Sequence, residues 1–191
     1  NGDLNYLRIK EILFMNFNYN LPVNIMFGRG RVSEIGSEVL KYGKTALIVT
    51  GKNSTKKTGL LDRTIKLLNE SDIKTIVFDE VEQNPLTTTA YDGAELAKKE
   101  KCDVVVGLGG GSIMDAAKAI AFITLNEGDV SDYIFGKKTS DEALPIILVP
   151  TTCGTGSEGN GFAVLTNPDN NDKKSLRCNA IVAKASIIDP E

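Results

Sequence analysis

The sequence contains no histidine. Histidine is the commonest transition-metal ligand and a frequent general base near neutral pH, so chemistry carried by this chain alone proceeds without an imidazole. Its three cysteines, Cys102, Cys153 and Cys178, are odd in number, far apart and form no Cys-x-x-Cys pair. That argues against a disulfide framework and against a thiolate metal site, and makes a reducing cytoplasm the expected setting. No apolar run approaches the roughly 20 residues of a membrane span, and the N-terminus lacks the basic, apolar and small-residue zones of a secretory signal. Basic charge is neither abundant nor concentrated: the net charge is −3, and the tightest groupings are pairs such as Lys56-Lys57 and Lys137-Lys138. Nothing in that balance calls for nucleic acid or an anionic membrane as a partner.

What is present is ordinary for a globular domain. The 191 residues are 41% hydrophobic and 25% charged, enough to bury a core without a disulfide or metal staple. The segment Asn1–Phe14 reads as a leader or appended remnant, because Met15 is a plausible starting residue at the head of the first clear strand. Residues 15–191 then form one domain.

Short β-branched runs alternate with segments of helical period. Ala46–Thr50, Lys74–Asp79, Asp103–Leu108 and Pro145–Val149 read as buried strands. Leu60–Asn69, Thr88–Lys99 and Ser112–Thr124 read as helices, the last so apolar that it should lie between layers. This order predicts an α/β fold, a Rossmann-like doubly wound parallel sheet with right-handed crossovers. Beyond Gly159, the apolar runs Ala163–Thr166 and Ile181–Ile188 flank the turn signal Asn167–Asp172, which predicts a β-hairpin packed on the sheet.

Parallel sheets bind ligands outside the carboxyl ends of their strands, and three polar, glycine-rich segments fall there. In Gly109-Gly110-Gly111-Ser112, three glycines follow a strand and a serine opens a helix. Such a turn allows close backbone approach, and the helix start favours an anion. Ser112 can act as an N-cap or as a phosphate donor, with Asp115 in the capping-box position. The turn is neither a GxGxxG fingerprint nor a GxxxxGK[ST] loop. In Pro150–Glu158, the hydroxyls of Thr151, Thr152, Thr155 and Ser157 lie among Gly154 and Gly156, as suits phosphate, ribose or carboxamide oxygens. The third segment, Gly51–Lys57, follows the first of these strands.

GLGGGSIMDAAKAIA followed by PTTCGTGSE resembles the iron-containing (group III) alcohol dehydrogenases, whose pattern is GGGSxxDxAK and then PTTxGTGSE. The similarity runs from about Met15 to Glu191. Glycerol dehydrogenases and dehydroquinate synthases share the triple-glycine turn but not the GTGSE loop. The resemblance implies that residues 15–191 are a dinucleotide-binding domain. It implies pyrophosphate contacts from Gly110, Gly111 and Ser112, with Gly109 also in the cofactor site, and places Asp115 and Val164 beside the nicotinamide. Thr151, Thr152 and Thr155 would line the phosphate and ribose region, and Lys173, or its neighbour Lys174, would reach a ribose. Where the family commonly has SEVT, this sequence has Ser157-Glu158-Gly159-Asn160, so Asn160 stands where a threonine meets the cofactor.

Many NAD-using relatives carry an aspartate at the position of Gly51. Here Gly51 is followed by Asn53, Ser54 and lysines, which resembles the NADP-dependent butanol and 1,3-propanediol dehydrogenase branch. NADP is therefore the expected cofactor, with NAD possible. In the family, a C-terminal helical domain supplies an aspartate and three histidines to Fe²⁺ or Zn²⁺. That domain is absent here, so no catalytic or metal-binding residue is assigned in this chain, and the chain alone is expected to be inactive. The expected reaction is hydride transfer between NADP(H) and a small alcohol or aldehyde, with a homodimer possible. The alternative is a nucleotide-binding remnant or truncated fragment without catalysis.

Overall fold

The computed structural model describes residue 18 and residues 20–191. The expected leader Asn1–Phe14 and the strand expected from Met15 lie outside them. The first described strand is β1, Asn24–Phe27, and an α-helical turn α1 follows at Ile35–Val39. Strand β2 spans Thr45–Gly51, then come α2 (Ser54–Lys57) and α3 (Leu60–Asn69). Strand β3 is Lys74–Val81, α4 Thr87–Lys99, β4 Val104–Gly109 and α5 Gly111–Leu125. Helix α6 covers Val130–Ile134, and β5 covers Ile146–Pro150. Two further strands, β6 (Phe162–Asn167) and β7 (Asp172–Arg177), precede β8 at Ala185–Ile188.

Six strands form one sheet in the order β1-β8-β5-β4-β2-β3, and every pairing in it is parallel. The predicted doubly wound α/β fold is therefore present, with the four buried strands and three helices expected between Ala46 and Val149 each within two residues of its place. No second, helical domain forms among the described residues. Alternation along the strands explains the two layers. In β2, Leu47 and Val49 join the core under α4 and α5, while Ala46 and Ile48 join the core under α1 and α3. Both faces of the strand are covered, so the run reads as continuously apolar. Helix α5 is buried from Ala116 to Ile123, as its composition predicts. At about 1.5–3 kcal/mol for each large apolar side chain taken from water, Phe122, Ile120 and Met114 make it a principal element of the core. Small residues bring it close: a β-carbon on Gly107 of β4 would lie 2.9 Å from the Ala117 Cβ.

The hairpin extension is present, but its second strand is not the one expected. Strand β6 pairs antiparallel with β7, Ala163 opposite Leu176 and Asn167 opposite Asp172. The apolar run at Ile181–Ile188 instead enters the main sheet as β8, between β1 and β5. The physical reason is burial. Ala185, Ser186 and Ile187 are fully enclosed, which a two-layer interior position allows and a surface hairpin does not. Strand β7 buries only Leu176 fully and leaves Lys173, Lys174 and Arg177 exposed, so its sequence carries almost no apolar signal.

Candidate dinucleotide site

The chain leaves β2 toward β3 on one side of the sheet and leaves β4 toward β5 on the other. The crevice between the carboxyl ends of β2 and β4 is thus the topological switch point, where open α/β sheets bind ligands. Gly51 ends β2, Gly109 ends β4, and a β-carbon on Gly51 would sit 3.4 Å from the Ile113 side chain in the first turn of α5. The first and third glycine segments therefore flank one crevice.

The second segment closes on the first. The Thr151 amide donates to the Gly109 carbonyl at 3.0 Å. A β-carbon on Gly110 would meet Thr152 Oγ1 at 3.0 Å, and one on Gly111 would meet the Thr155 methyl at 2.7 Å. Only glycine allows this approach at Gly111. Gly109 has φ of +157°, a conformation that side chains rarely adopt. Thr151–Gly156 is exposed throughout, so its hydroxyls face solvent above the turn.

Ser112 and Asp115 do not make the expected capping box. The N-cap of α5 is Gly110, with no side-chain capping bond. The amides of Ile113 and Met114 turn back to the Gly110 carbonyl. The helix start is left without a side-chain cap at the crevice, which suits an anion. Ser112 Oγ accepts from the Asn84 amide at 3.3 Å. Asp115 turns away from the helix start: its carboxylate accepts from Ser157 Oγ at 2.7 Å and from the Val164 amide at 3.1 Å. It ties the second segment and β6 to α5, and so sets where Val164 stands.

Lys173 and Lys174 diverge. Lys173 Nζ donates to Asn84 Oδ1 at 2.7 Å, joining the hairpin to Ser112 through Asn84, whereas Lys174 pairs with Asp172 at 3.1 Å. Asn53 and Ser54 are exposed at the start of α2. Thr55 is buried, its hydroxyl 2.8 Å from that of Thr50, which in turn donates to the Leu108 carbonyl. Lys56 is ion-paired with Asp79. The lysine holds the Asp79 carboxyl below its usual value, against the opposing effect of burial.

Two contributors escape a reading by residue type. Asn84 sits between Lys173 and Ser112 with a left-handed φ of +58°, and its only sequence signal is an Asn-Pro turn. Lys118 is completely enclosed, and burial draws its ammonium down to about 8 while Asp115 and Glu158 pull it up. Its sequence signal was the lysine that closes the GGGSxxDxAK pattern, a single charge inside an apolar helix. Among the described residues, no three His, Cys, Asp or Glu side chains converge as metal ligands, and with no histidine in the sequence the residues present do not fit a metal. Among the same residues, no helix is long and apolar enough to cross a membrane.

The profile of the iron-containing alcohol dehydrogenase family matches residues 22–190. The chain is 35% identical over 176 residues to NADH-dependent butanol dehydrogenase A of Clostridium acetobutylicum, covering 92% of this chain and 45% of that protein. It is 38% identical to 1,3-propanediol dehydrogenase of Citrobacter freundii, covering 91% of this chain and 46% of that protein. Among solved structures, NADH-dependent butanol dehydrogenase A of Thermotoga maritima superposes with a TM-score of 0.87 at 40% identity, over 92% of this chain and 44% of its own. The chain belongs to the iron-containing alcohol dehydrogenase family. It spans a little under half the length of these relatives.

Proposed function

We propose that the chain is the dinucleotide-binding part of a metal-dependent alcohol dehydrogenase, acting in hydride transfer between a nicotinamide cofactor and a small alcohol or aldehyde. The observation that carries this reading is the contact of two motif loops, Gly109–Ser112 and Thr151–Ser157, at the switch point of a parallel sheet. When bound, the dinucleotide supplies the hydride. The bare backbone of Gly110 and Gly111 and the uncapped start of α5 receive the pyrophosphate. Thr151, Thr152 and Thr155 offer hydroxyls to phosphate and ribose oxygens. Asp115 holds the Val164 amide and thereby sets the wall beside the nicotinamide. Lys173 reaches a ribose from the hairpin. The metal that polarises the alcohol oxygen in this class, iron or zinc, belongs to residues outside this chain.

For the adenosine end, we propose NADP(H). Gly51 offers no carboxylate to accept ribose hydroxyls or to repel a 2′-phosphate, and Asn53, Ser54, Lys52 and Lys57 stand exposed around it. Two features pull the other way. Lys56 is engaged by Asp79, and several relatives are named for NADH. The remaining expectations, a cytoplasmic setting and a homodimer, follow from the family reading and the reduced cysteines.

Calorimetry of the 191-residue chain against NADPH and NADH tests the reading. Weak but measurable binding is expected, and Gly110→Val, whose side chain runs into Thr152, should abolish it. A variant that binds as well as the parent would show that the pyrophosphate site is elsewhere.

A further inference from the structure

The Lys118 ammonium lies under the second motif loop and not beside the crevice. Its three N–H groups are shared among four oxygens: the carbonyls of Ser157 and Phe162, Asn160 Oδ1 at 3.1 Å and Ser157 Oγ at 2.9 Å. Those partners span both ends of the segment that joins the loop to β6. The Ser157 hydroxyl donates in turn to Asp115 at 2.7 Å, so cation and carboxylate share one bridging group. Upward from Ser157, its amide donates to Thr155 Oγ1 at 3.3 Å, and the Thr155 methyl is the atom that packs on Gly111. Asn160, the departure from the family pattern, is drawn into the same arrangement. Its Oδ1 accepts from the Phe162 amide, and its Nδ2 donates to the Gly156 carbonyl at 2.7 Å.

We propose that Lys118 is a positioning residue for the dinucleotide site: from beneath, its buried ammonium fixes the Ser157–Phe162 segment and so sets the height at which Thr155 meets the Gly109–Gly111 turn. Its effect on affinity rests on the function proposed above; its effect on the segment does not. A charge with no exposure is costly to bury, and a purely apolar contact would have held α5 equally well. What the ammonium adds is direction: it draws two backbone carbonyls and two side chains to one point. The charged groups that face it are Asp115 on its own helix and Glu158 on the segment.

The test uses the full 191-residue chain with Lys118→Met, which keeps an apolar stem and removes the ammonium. Amide hydrogen exchange in Ser157–Phe162 should accelerate at least tenfold, with β4 and the body of α5 unchanged, and affinity for NADPH or NADH should fall at least tenfold. A merely space-filling lysine would instead show its loss in the body of α5, where the stem packs. Lys118→Gln keeps a polar head on a shorter stem but supplies no ammonium, and should loosen the same amides about threefold. It decides the matter if Lys118→Met fails to fold. Unchanged exchange in the segment, with affinity within twofold of the parent, overturns the inference. A parent that binds neither dinucleotide overturns the proposed function instead, and the exchange pattern still judges Lys118.

Discussion

Gly111 and Thr155 meet without space between them: a β-carbon on Gly111 would lie 2.7 Å from the Thr155 methyl. Two segments more than forty residues apart in sequence are thereby held as one surface. Gly111→Ala should push Thr155 off the turn and weaken dinucleotide binding about tenfold, equivalent to roughly 1.4 kcal/mol. Thr155→Ser, which deletes the opposing methyl, should restore most of that loss when combined with it. A double variant no better than Gly111→Ala alone, read by calorimetry, would separate the two loops energetically.

Gly51 is the position that tests the NADP(H) proposal. Its hypothetical β-carbon meets only ordinary contacts, 3.4 Å from Ile113 and from the Val81 carbonyl, so an aspartate fits there. Gly51→Asp should weaken NADP binding ten- to a hundredfold, roughly 1.4 kcal/mol for each power of ten, and leave NAD unchanged or improved. Both dissociation constants are to be measured in parent and variant. A parent that prefers NAD sinks the NADP reading outright.

Asp189 has a structural task. Its carboxylate accepts from the amides of Gly30 and Val32, both at 3.0 Å. Burial pushes its pKa upward, but the amides of Val32, Glu191 and Gly30 outweigh that and leave it below 3.8. A depressed carboxyl stabilises the fold above its unfolded pKa, and that contribution is lost as pH falls through the folded value. Asp189→Asn should therefore lower Tm at pH 7 by about 2–4 °C for each ~1 kcal/mol lost. The gap from the parent should close below pH 3.8. A gap that persists in acid would assign the effect to packing.

With no histidine in the sequence and no converging ligand set among the described residues, added Fe²⁺ or Zn²⁺ should not make the isolated chain oxidise short alcohols. NADPH or NADH formation would be followed by absorbance. Metal-stimulated turnover by rigorously purified chain would place the metal within these 191 residues.

The sheet and its helices were legible in the residues alone, because strands buried on both faces must be continuously apolar and α5 must be apolar to lie between layers. The sequence also marked Gly109–Ser112 and Thr151–Ser157, since a triple glycine and a run of hydroxyls stand out wherever they fall. Tertiary structure decided which elements pair and what the polar side chains face. Strand β7 is legible only beside β6, because a hairpin with one buried face needs little more than Leu176 to hold it. The apolar run at Ile181–Ile188 resembles a hairpin strand until the place between β1 and β5 is known. Asp115 sits at a capping spacing, yet it serves Ser157 and Val164, because those groups arrive from distant sequence to within hydrogen-bonding range. On paper Lys118 is the closing lysine of the GGGSxxDxAK pattern and one charge in an apolar helix. Only the fold surrounds it with carbonyls, since the value of a buried polar group lies in partners that local sequence cannot supply.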